Sequence, residues 1–122
     1  MAVTYVHFED PTYGPNTVPM DPVYAALTKR EIERPGFTGN GSMKIVETRV
    51  SYGPNPITVT FEEAVANAAY WAISRGEKNS DAEQAAIYLK VKPAPFPASL
   101  YQQAATLTRE GSGLQGLFGG RP

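Results

Sequence analysis

The sequence predicts an α+β fold: a short β-hairpin or small sheet with three or four short helices, flanked by extended Pro/Gly-rich arms at the N- and C-terminal ends. Three observations carry this. Between Met43 and Phe61 apolar and polar residues alternate with the period of a strand. Segments opening at Asp21, Thr60 and Ser80 carry N-cap residues followed by apolar positions at helical spacing. The chain of 122 residues holds 11 Gly and 11 Pro, above the average share of about 12%, and such residues keep regular elements short. The length fits one domain. It divides into an arm with one short helix (1–42), a compact core (43–109) and a Gly-rich tail (110–122).

Taken in order, Ala2 to Phe8 reads as one short strand, after which Pro11, Gly14, Pro15 and Pro19 interrupt the chain. Asp21 followed by Pro22 is an N-cap with proline at the first helical position. Val23, Ala26, Leu27 and Arg30 then keep helical spacing until Arg34-Pro35-Gly36 ends the element. The rest of the first 42 residues is expected to be extended.

Met43 to Tyr52 is a β-prone run that places Val46, Thr48, Val50 and Tyr52 on one face, and Glu47 and Arg49 on the other. Gly53-Pro54-Asn55-Pro56 is a turn, and Ile57, Val59 and Phe61 alternate again, so the two runs form a hairpin. The two prolines of that turn leave its register open. Thr60-Phe61-Glu62-Glu63 is a capping box that starts a helix running to about Arg75, with Gly76 closing it. That helix is apolar on nearly every side, so other structure must enclose it, and a second protein could supply part of the enclosure. Ser80-Asp81-Ala82-Glu83 is a second capping box, with Ala82, Ala85, Ala86 and Leu89 forming a stripe up to about Lys90. Lys92 to Pro97 alternates with proline and is a stiff connector. A last helix follows from about Pro97 to Arg109, with Leu100, Tyr101, Ala104 and Leu107 on one side. The sequence contains no internal repeat.

Composition narrows the function. Eleven basic and twelve acidic residues leave a net charge of −1, without the basic excess that phosphate neutralisation requires, so no direct nucleic-acid binding is expected. The basic cluster Lys29, Arg30 and Arg34 is interleaved with Glu31 and Glu33, as on a solvated helix surface. The start of the chain has no basic n-region followed by an apolar run, and the longest apolar stretch, Ala64 to Ile73, is about half of a bilayer span. The expectation is a soluble, non-membrane-spanning protein, cytoplasmic or within a particle assembled in the cytoplasm.

Catalytic chemistry has little to work with. There is no cysteine and one histidine, His7, so neither a thiolate site nor a typical zinc site is expected. Glu62-Glu63 and Asp81/Glu83 sit in first helical turns, where capping accounts for them. The glycines of Gly36 to Ser42 lie between a helix and a strand, the reverse of a phosphate loop. No catalytic residue, metal, cofactor or small-molecule substrate is predicted, and the chain is expected not to be an enzyme.

Aromatic residues are the remaining signal. Tyr5, Phe8, Tyr13, Phe37, Phe96, Leu117 and Phe118 fall outside the predicted compact helices, and Tyr70 and Trp71 sit on the apolar one. Large rings along an extended strip serve as anchors at an interface. These nine residues are therefore the candidate partner-binding set. The expected role is a structural or adaptor subunit of a large multiprotein assembly, of the virion cement or connector type or the multiprotein linker type. A regulatory module presenting the proline-rich connector or the C-terminal peptide is the alternative, and a small enzyme ranks last.

Overall fold

The fold was analysed in a computed structural model that describes residues 2–10, 14–37, 39, 42–51, 56–100 and 102. It is α+β. Four strands, β1 (Ala2–Asp10), β2 (Gly14–Met20), β3 (Ser42–Val50) and β4 (Ile57–Val59), form one antiparallel sheet of order β2-β1-β3-β4. Helices α1 (Pro22–Glu33), α2 (Phe61–Ser74) and α3 (Asp81–Leu89) cover one face of it. Residues 98–100 and 102 are also helical, where the last helix was expected to begin.

The helix ends follow the sequence closely. Asp21 Oδ2 accepts from the N–H groups of Val23 (2.9 Å) and Tyr24 (3.1 Å), with Pro22 at the first position. Thr60 Oγ1 accepts from the Glu63 N–H and Glu63 Oε1 from the Thr60 N–H, both at 3.0 Å, completing the capping box. At Ser80 the box is one-sided. Its hydroxyl accepts from the Glu83 N–H at 3.2 Å, but the Glu83 carboxylate turns to the N–H of Asn79. Gly76, at φ +82°, closes α2. Its N–H donates to Ile73 and that of Glu77 to Ala72, a pairing that requires the left-handed conformation glycine adopts without a Cβ clash.

The N-terminal segment corrects the expectation of an extended arm. β1 lies inside the sheet and pairs with both β2 and β3, and Val6, Ala25 and Ala26 are fully buried. A strand with neighbours on both sides satisfies its backbone through the ladder, which an arm cannot do. The unexpected strand is β2, whose Pro15 and Pro19 argue against a strand read locally. It is an edge strand, and Pro15 and Pro19, four residues apart and so of the same parity, are tolerated where the missing N–H would point outward.

Register fixes the two faces of the sheet. Thr4 stands opposite Thr48 and Ala2 opposite Val50; across β2, Val6 pairs with Val18. These face the helices, and the Thr4 and Thr48 hydroxyls, both buried, hydrogen-bond at 2.9 Å. Ten buried residues, including Val6, Phe61 and Val65, form the main core, in which Ala25, Ala69, Ala72, Ala82, Ala85 and Ala86 let the three helices approach closely. A second cluster joins Val50, Ala64, Phe96 and Leu100.

The alternation in β3 breaks once. A β-bulge opposite Tyr5/Val6 leaves Val46 as the extra residue, so that Tyr5 pairs with Glu47 and Val6 with Ile45. Val46 was expected on one face with Thr48 and Val50; those two are buried, whereas the bulge leaves Val46 at 55% exposure. The connector after α3 is also placed differently from a free peptide ligand. The Ala94 N–H donates to the Ala66 carbonyl and the Phe96 N–H to Asn67 Oδ1, which ties it along α2.

Candidate interaction surface

The predicted anchors are dispersed. Tyr5 is half-buried on the sheet face away from the helices, with the Arg49 guanidinium 5.2 Å from its ring centroid. Phe8 packs against the main core and Phe96 is only 5% exposed in the second cluster. Phe96 acts as a core residue, because a side chain desolvated within its own fold has little apolar surface left for a partner, whereas Phe8 keeps part of its ring exposed. Phe37 is half-buried in the loop after α1. Tyr70 and Trp71 stack edge to face at 5.2 Å, and Trp71, 46% exposed, donates through Nε1 to Asn67 Oδ1. Tyr13, Leu117 and Phe118, with the Gly-rich tail and most of the last helix, lie outside the described residues. Tyr70 and Trp71 are brought together; Tyr5 lies on the opposite side of the sheet from their helix.

The open sheet face is polar. Glu47 accepts from the Arg49 Nε at 2.6 Å and from the Thr58 hydroxyl at 3.2 Å. The guanidinium bond holds the Glu47 carboxyl below its ordinary range, with the Thr58 bond in support and partial desolvation opposing, and the carboxylate raises Arg49 in return. His7 hydrogen-bonds Thr17 at 3.0 Å and Glu9 at 3.3 Å. Among the described residues no three His, Cys, Asp or Glu side chains gather as a metal site would require, and no helix is long and apolar enough to cross a membrane.

The feature that sequence reasoning missed is an edge. β3 has nine residues but β4 pairs only with Thr48, Arg49 and Val50. Among the described residues no strand pairs with the outer side of Ser42–Glu47, so alternate N–H and C=O groups there point into a groove rather than into a ladder. The groove has a volume of about 580 Å³, and its walls include Lys29, Val46, Phe61, Glu62 and Leu89. Lys29 is held by an ion pair to Glu33, whose carboxylate also accepts from the Tyr88 hydroxyl. Those two bonds lower the Glu33 pKa, the Lys29 bond most. Burial, with the Glu33 hydrogen bond second, pushes Tyr88 up to about 12. A signal for the open edge was present in the sequence: the capping box at Thr60 ends β4 at Val59 and leaves it far shorter than its partner.

No protein-family model matches the chain, and neither does any curated protein or solved structure.

Proposed function

We propose that this chain is a non-enzymatic structural or adaptor subunit of a larger protein assembly, of the virion cement or connector type or the multiprotein linker type. The observation that carries this is the unpaired stretch Ser42–Glu47 of β3 beside its groove. Exposed strand backbone of this kind is met by adding a strand from another chain. Trp71 of α2, 46% exposed and packed edge to face on Tyr70, offers a second contact of the kind that aromatic anchors make. Contact therefore runs through a sheet edge and a helix face, and not through an N-terminal arm, since β1, β2 and α1 are committed to the fold.

A photo-crosslinking amino acid placed at Val46 tests this in the full chain, in the cells that produce it. The expected result is adducts with protein subunits that sediment together in a high-mass particle. The same group at Thr17, on the proline-bearing edge, should give none. Chain that sediments only at low mass and forms no adduct from position 46 contradicts the assembly role.

A further inference from the structure

We infer that the occupant of the β3 edge is a second copy of this chain, paired antiparallel about a two-fold axis at the bulge. The inference deepens the assembly reading above and rests on it.

The bulge is what makes the edge complementary to itself. In a regular strand, residues three apart lie on opposite faces. Here Lys44 pairs with His7 and Glu47 with Tyr5, and since His7 and Tyr5 share the open face, Lys44 and Glu47 share it too, on either side of Ile45 and Val46. A two-fold axis through that centre sets Lys44 of each copy opposite Glu47 of the other. Both cross-strand pairs then join opposite charges on the same face. An isologous contact uses the same patch on both copies, so a patch that carries both signs symmetrically about its centre suits a copy of itself.

The rest of the edge agrees. β4 blocks pairing at Thr48, which limits the shared ladder to about Lys44–Glu47 and places Val46, 55% exposed, at the axis, where two copies cover it. The net charge of −1 gives the copies little mutual repulsion. The other edge of the sheet carries Pro15 and Pro19 on β2, so the β3 edge is the one left able to extend the sheet to eight strands. A ladder this short makes a weak dimer that forms with rising concentration.

Charge-swap complementation with sedimentation of the purified full chain is the test. Lys44→Glu alone places two acidic residues opposite each other at both contacts, and Glu47→Lys alone places two basic ones. Each single variant should associate about tenfold more weakly than the wild type. An equimolar mixture of the two should regain dimer, because every contact in the mixed species joins Glu to Lys. The variant carrying both substitutions should pair with itself, and a merely structural role for either residue would not produce that rescue. Circular dichroism confirms that each variant is folded. A wild-type chain that remains monomeric at every concentration overturns the inference, and so does a dimer that neither single substitution weakens. In the monomeric case Lys44 and the bulge would be edge protection against pairing. Adducts from Val46 to a different protein, with no self-association, would retain the assembly role and remove the second copy as occupant.

Discussion

The two edges of the sheet are built from opposite materials. β2 carries two prolines in seven residues, and its partner β1 is paired along nearly its whole length. β3 has a valine, an isoleucine and a methionine in the stretch that β4 fails to cover. Edge strands are hazards that natural proteins blunt with proline, charge, bulges or covering structure. One edge here is closed by the chain's own covalent chemistry, whereas the other is left to be closed by something else. The difference shows that this fold can blunt an unpaired edge, since the β2 prolines do so, and gives the open stretch of β3 its interest.

Substitutions can break this contrast, and the largest effect is expected between the edges rather than at them. Val6 lies on the interior strand with no exposure. Val6→Asp buries an unpaired carboxylate and should cost more than about 3 kcal/mol, abolishing the cooperative thermal transition seen by circular dichroism. Asn16→Asp, at an exposed position of the β2 edge, should change stability by less than about 0.5 kcal/mol. A comparable loss from both would mean that β1 does not hold the sheet together.

Next in size is the buried hydroxyl pair. Thr48→Val leaves the Thr4 hydroxyl without its partner and should destabilise by about 1–3 kcal/mol, while the double change Thr4→Val with Thr48→Val should be nearly neutral. Denaturant titration of the four proteins in this cycle measures the coupling. Additive losses would contradict the hydrogen bond as the reason these threonines are buried.

The edges themselves should respond in association more than in stability. Replacing Pro15 and Pro19 by Thr restores two N–H donors to β2 and favours strand geometry. Monomer stability should move by less than about 1 kcal/mol, but light scattering should reveal new self-association through the β2 edge. Unchanged scattering would show that the prolines do not protect it.

The smallest expected effect concerns the groove wall at Lys29. Tyr88 holds its phenol proton more tightly in the folded chain, up to about 12, than the ordinary value of 10. Its contribution is therefore complete below about pH 10 and is lost as the pH rises toward 12. Tyr88→Phe should remove that alkaline loss, as read from denaturation midpoints across this range. At the acid end the sign reverses. The Glu33 carboxyl is held below 4.5, so its contribution is present above that value and fades as the pH falls through its lowered pKa.

Much of the fold was legible because local chemistry decides it. Asp21-Pro22, the Thr60 capping box and Gly76 specify helix ends through bonds made within a few residues, and the alternation from Met43 predicts a strand that pairs with the run after Ile57. β2 was illegible because Pro15 and Pro19 read locally as breakers, and only its place at an edge makes them tolerable. The interior position of β1 depends on pairing with Ser42–Val50, some forty residues away, for which the sequence carries no local signal. Two of the aromatics were illegible for a similar reason: Phe8 and Phe96 lie outside the helices in sequence but fold back onto the core. The candidate edge was half legible. The mismatch in strand length was visible, while the bulge that brings Lys44 and Glu47 to one face appears only once β1 is known to pair with β3.

Hydrogen exchange measured at increasing concentration tests the self-pairing edge most directly. Amides of Lys44–Glu47 that point into the groove should exchange freely in dilute protein and become protected as concentration rises, while those of the β2 edge stay unchanged. Protection of Lys44–Glu47 that does not vary with concentration would contradict pairing between copies.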